Sequence, residues 1–117
     1  MDLPWGDEKT VQFVTNVGLI TSDGPNGPNV MAAEWTMQIS YDPLLIAVFI
    51  HPDAATFKNI KKTKEFGVNV AADEQTPLVN ISGGYSRIEI DKLKVRNSFN
   101  ILKPRYIKVP LISGCII

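Results

Sequence analysis

Asn29-Val30-Met31-Ala32-Ala33-Glu34-Trp35-Thr36-Met37-Gln38-Ile39-Ser40 alternates residue by residue. Tyr41-Asp42-Pro43 then turns the chain into Leu44-Leu45-Ile46-Ala47-Val48-Phe49-Ile50. Met31, Ala33, Trp35, Met37 and Ile39 form an apolar set, while Val30, Ala32, Glu34, Thr36, Gln38 and Ser40 form a small or polar one. A period of two predicts a half-buried strand with Met31, Trp35 and Ile39 directed to the core. The unbroken apolar run over 44–50 predicts a strand buried on both faces.

On the N-terminal side, residues 11–22 are rich in β-branched residues, and Val11, Phe13, Thr15, Val17 and Leu19 share a face, as in a strand. Asp23-Gly24-Pro25-Asn26-Gly27-Pro28 packs turn formers together and predicts a hairpin loop between this strand and the next. On the C-terminal side, His51-Pro52-Asp53-Ala54-Ala55 breaks the apolar run. A helix is expected over 56–64, with Thr56 as its N-cap, Phe57 and Ile60 on one face and lysines on the other. A strand over 66–70 follows, then a second short helix near 75–81 ending at Gly83-Gly84 in the manner of a C-cap. The pattern over 87–100 is indistinct, and 105–117 reads as a strand broken by Pro110, whose last residues would be an awkward unpaired edge. Antiparallel hairpins with an inserted helix favour a small barrel, mainly β, over a doubly wound sheet.

Composition bounds the function. A chain of 117 residues predicts a single domain over 1–117 with one modest core. Twelve basic and twelve acidic residues cancel, so the basic surplus of a nucleic-acid binder is missing. One cysteine, Cys115, and one histidine, His51, allow no intrachain disulfide and no zinc site built from Cys and His. Hard chemistry is therefore expected from a bound cofactor and not from a catalytic side chain. The start of the chain lacks the pattern of a signal peptide, and the longest apolar run is too short to span a bilayer; a soluble cytoplasmic protein is expected.

Several residues could carry binding. Ser82-Gly83-Gly84 is a weak phosphate cradle and equally a helix end. Thr36, Gln38 and Ser40 project together, with Ala32 leaving space, which is either a solvent-facing strand surface or the floor for a planar ligand. The helix beginning near Thr56 offers free amides and a partial positive charge to a phosphate, unless Thr56 only caps its own helix. Lys92 pairs with Asp91 in solvent or meets a phosphate as a point charge. Trp5 and Trp35 read as packing residues.

The run 29–35, followed by Ile39-Ser40-Tyr41-Asp42-Pro43, resembles the flavin reductase-like family of FMN-binding split β-barrels of Greek-key type. Thr56, Glu65-Phe66-Gly67-Val68-Asn69-Val70, Ser82-Gly83, Asp91-Lys92-Leu93 and Pro110-Leu111-Ile112 continue the resemblance in order over nearly the whole chain. It implies a homodimer holding FMN or FAD near the subunit interface, with NAD(P)H as electron donor, or else a flavin electron carrier without a nicotinamide site. It implies that Ala32, Ala33, Glu34, Trp35, Thr36, Gln38 and Ser40 line the flavin. It further implies that Thr56 and Lys92 lie near its phosphate end, and that Asn69 and Ser82 shape the pocket. Glu34 stands where many relatives carry Ser or Asn, and Met37 replaces a frequent Thr. The family domain usually runs some tens of residues further, so a C-terminally incomplete or unusually closed barrel is expected.

Overall fold

The computed structural model describes residues 17–95 and 99–115. Strand β1 (Gly18–Ser22) lies at the centre of a three-stranded antiparallel sheet, between β2 (Asn29–Ala33) and β5 (Gly67–Val70). All five β1 residues are buried. Leu19 pairs with Ala32 on one side and with Asn69 on the other. The expected turn joins β1 to β2; Gly27 donates to the Gly24 carbonyl at 2.8 Å, and Gly27, at φ 75°, occupies the left-handed region that favours glycine. Of the strand expected over 11–22, residues 11–16 lie outside the described residues.

The alternating segment is not one strand. It breaks at Glu34-Trp35, and β3 (Thr36–Tyr41) leaves the first sheet to pair with β4 (Leu44–Val48) in a separate two-stranded sheet. The expected inward set is overturned: Met31 is half-buried, while Trp35 and Ile39 are 53% and 59% exposed. The strand expected to be buried on both faces is exposed too, with Leu44 64% accessible. Period-two alternation distinguishes two faces, but it does not say which face something covers. Gly18 marks where the sheets meet: a Cβ there would sit 2.7 Å from Thr36 Oγ1.

Helix α1 (Ala55–Thr63) begins one residue before the expected start, and its N-cap is Ala54, which makes no side-chain capping bond. Thr56 is therefore not the cap. The helix is fastened through Asn59, which is fully buried: its Nδ2 donates to the Gly27 carbonyl at 2.9 Å and to Ser22 Oγ, and its Oδ1 accepts from the Asn26 amide. Helix α2 (Thr76–Gly84) has Pro77 in its first turn and runs through both glycines to end at Tyr85, so Gly83-Gly84 do not form the expected C-cap. A Cβ on Gly83 would touch Ala32 Cβ at 3.4 Å, which shows how closely α2 lies on β2.

Of the strand expected over 105–117, the described residues hold β7 (Leu111–Ile112), paired with β6 (Ile101–Leu102); residues 116 and 117 lie outside the described residues. Asn69 attaches this hairpin to the main sheet, accepting from the Ile112 amide at 2.9 Å and donating to the Leu19 carbonyl at 3.0 Å. Leu19, Val30 and Ile112 form the buried core, with Ala32, Val79, Leu93 and Phe99 packed around it.

Candidate functional site

Burial of Lys92 is the unusual electrostatic feature. The side chain sits on a 3-10 turn (Lys92–Lys94) and is 2% exposed, and its ammonium donates to the Ser82 carbonyl at 3.0 Å. Desolvation, with a smaller contribution from Arg87, lowers its pKa to about 8, and Glu89 opposes the shift. No carboxylate forms an ion pair with Lys92 among the described residues. A buried cation held by one carbonyl is costly unless an anion joins it.

Lys92 lines a cleft of about 290 Å³ where the start of α1 faces the end of α2. Thr56, Ser82, Arg87 and Asn29 share its wall, with Ala32 on β2, and no Asp or Glu does. Asn29 Nδ2 donates to Thr56 Oγ1 at 2.9 Å, while Asn29 Oδ1 is buried without a partner among the described residues. The first-turn amides of α1 have no intrahelical acceptors, and no side chain caps them. Ser82 Oγ donates back to the Leu78 carbonyl at 2.7 Å. Two cations, hydroxyls and a helix N-terminus, in a lining without Asp or Glu although Asp91 bridges Arg87 from outside it, are a donor set suited to a phosphate. This volume is at the low end of the roughly 300–1,000 Å³ typical of ligand sites, so it suits the phosphate end of a large cofactor.

Thus the fold brings Ala32, Thr56, Ser82 and Lys92 together. Thr36 and Gln38 line a different cleft of about 650 Å³, with Met37, Val70 and Thr76. Ala33 is buried beneath the strand break, where its carbonyl accepts from Thr36 Oγ1 at 2.9 Å. Glu34 and Trp35 are exposed at the break, and Trp35 meets Phe49 edge to face at 6.5 Å. Ser40 is half-buried near the hairpin tip. Asn69 lies at the strand junction with both ends of its amide bonded internally, not on the phosphate-suited cleft. Asn29 and Arg87 escaped the reading of the sequence. Arg87 carried one usable signal, its i,i+4 spacing to Asp91, to which it is bridged at 3.3 Å. Asn29, the residue after a Gly-Pro turn, had as its one signal its place at the head of the run 29–35 that carries the resemblance.

The description "Flavin reductase like domain" matches residues 10–117, and the chain belongs to that family. An uncharacterized protein of Pyrococcus abyssi is 36% identical over 98 residues, covering 84% of this chain and 55% of its own length. The chain spans about half the length of the curated relatives it matches. Among solved structures, it resembles the flavoredoxin of Desulfovibrio vulgaris (Miyazaki F), with TM-score 0.79 at 21% identity, covering 97% of this chain and 62% of that one. It also resembles the NADH:FAD oxidoreductase of Streptomyces globisporus, with TM-score 0.78 at 19% identity over 99% and 70%. The fold is the mainly β split barrel of these proteins, with few short helices.

Proposed function

We propose that this chain binds FMN with its phosphate in the cleft between α1 and α2, and that it acts as a flavin reductase-like oxidoreductase drawing on NADH or NADPH. The observation that carries the reading is the buried Lys92 ammonium, bonded among the described residues to the Ser82 carbonyl alone, in a cleft whose lining holds no Asp or Glu, beside an uncapped helix N-terminus. When bound, the flavin supplies the redox chemistry by accepting a hydride and passing electrons to an acceptor. The chain's own residues bind and orient. Lys92 and Arg87 balance the phosphate charge, Thr56 and the α1 amides replace its water, and Ala32 and Gly83 keep the wall low. No side chain in the cleft is assigned an acid or base role.

A homodimer is part of the same proposal. The β3–β4 sheet exposes Met37, Ile39, Leu44 and Leu45, with Phe49 exposed just past its end, and a two-stranded sheet exposed in this way needs a cover. A second copy of the chain supplies that cover. A cytoplasmic location fits the single cysteine of the chain. Among the described residues no helix is long and apolar enough to cross a membrane.

The test is a titration of the protein with FMN, followed by anaerobic addition of NADH or NADPH. Saturable binding and bleaching of the flavin are expected. FMN binding without bleaching identifies a flavin carrier instead, and no binding sinks the reading.

A further inference from the structure

We infer that a separate apolar cleft against α1 binds a free apolar monocarboxylate, an acyl chain with one anionic end. Its lining shares no residue with the phosphate-suited cleft, so the site stands independently of the flavin reading.

The cleft measures about 410 Å³, inside the roughly 300–1,000 Å³ of small-molecule sites. Phe57 and Ile60 enter it from α1, where a spacing of three puts them on one side of the helix. Val48 and Ile50 enter from the end of β4 and the residues just past it, two apart and so on one face of the extended chain. Phe66, just ahead of β5, completes the apolar floor. None of the five is fully covered: Phe66 is 36% exposed and the others are half-buried. Removing that surface from water drives the binding of an apolar body.

Lys61 and Lys64 are the other lining residues, and both are exposed. Neither forms an ion pair among the described residues, and no Asp or Glu lines the cleft. Lys64 ends the helix at φ 61°, with its backbone N–H donating to the Ile60 carbonyl at 2.8 Å. Its neighbour Glu65 belongs to a different cleft, where its carboxylate accepts from the Lys108 backbone amide at 3.2 Å. Lysines in a last helical turn also favour the helix dipole, and that alone accounts for Lys62, which lies off the cleft. Lys61 and Lys64 differ in standing beside uncovered apolar side chains. A neutral hydrocarbon would leave these cations unused, and a small polyanion would leave the floor wet. A ligand with an apolar body and a single carboxylate uses both.

The experiment is calorimetric titration of the full chain with octanoate, decanoate and decan-1-ol, in the wild type and in the K61Q/K64N double variant. Glutamine is a good helix former and asparagine tolerates the left-handed backbone at 64, so the fold is kept. Decanoate is expected to fill a single saturable site and to bind about tenfold more tightly than octanoate, because two further methylenes are buried. In the variant, decanoate affinity should fall about fivefold while decanol affinity holds. Equal losses of decanoate and decanol, or uptake that never saturates, overturn the site. Decanoate affinity that weakens as protein concentration rises shows that a second copy covers the cleft, and overturns it too. Absence of decanoate binding also overturns it, and capture by anionic phospholipid vesicles in that case assigns the face to a membrane.

Discussion

The Asn29 side-chain amide donates to the Thr56 hydroxyl at 2.9 Å, joining the first residue of β2 to the first turn of α1 across 27 positions. Both side chains are almost fully buried. Thr56→Ala leaves that amide without an acceptor, so urea unfolding should show a loss of about 1–3 kcal/mol. FMN affinity should fall roughly tenfold, the cost of one hydrogen bond to a charged group. Riboflavin has no phosphate and should bind both proteins alike, and Thr56→Ser should recover both properties. Equal losses for FMN and riboflavin would mean that Thr56 only fastens the helix.

Lys92 makes the site sensitive to pH. Its folded pKa of about 8 lies below the 10.5 of the free side chain, because burial and Arg87 disfavour the charged form. The unfolded chain therefore binds more protons between these values. The penalty on the folded state is fully present below about pH 8 and relieved as pH rises towards 10.5, so this group's contribution makes stability rise across the window. FMN affinity has the opposite slope: the phosphate needs the protonated amine, so binding should be flat below about pH 8 and weaken above it. Lys92→Met should remove both slopes. Urea melts and FMN titrations from pH 7 to 10 check this, and a wild-type affinity that stays level to pH 10 would take Lys92 out of the site.

Asn69 holds three strands with one side chain, bonding to Leu19 on β1 and to Ile112 on β7 from its place on β5. Asn69→Ala strands a buried amide and a buried carbonyl. The expected cost is about 2–3 kcal/mol in urea unfolding. Proteolysis should then cut first near the β6–β7 hairpin, whose two-residue strands would be left to the packing of Ile112 and the bond from Gln75 to the Ser113 carbonyl. A cost below about 0.5 kcal/mol would show that core packing of Ile112 suffices.

The exposed apolar hairpin predicts the oligomeric state. Ile39 and Leu44 are 59% and 64% accessible, so neither contributes much to the fold of one subunit. The I39K/L44K variant should still unfold cooperatively yet sediment as a monomer at micromolar concentration, where the wild type is expected to be a dimer. A wild type that sediments as a monomer removes the second copy from the proposal.

Local chemistry settled much of this protein in advance. The β1–β2 hairpin was legible because Gly24, Pro25, Gly27 and Pro28 dictate a turn from backbone sterics alone. The helix at 55–63 was legible within a residue or so, since an apolar pair backed by lysines needs only a 3.6-residue period to be read. The order of short motifs named the family, and with it the residues Ala32, Thr56, Ser82 and Lys92 that converge on one cleft. Tertiary structure decided what no local pattern contains. The alternation through Trp35 and Ile39 could not show that the strand breaks at Glu34 and changes sheets, because which face is covered depends on elements remote in the chain. Asn59 sits among lysines and reads as surface, yet it is buried by a loop more than thirty residues away. Arg87 enters the site because the fold carries it to the Pro28 carbonyl, 59 positions distant. Contacts at that separation repay a large loop-closure entropy only when many form together. They belong to the assembled fold and leave no mark on their own neighbourhoods.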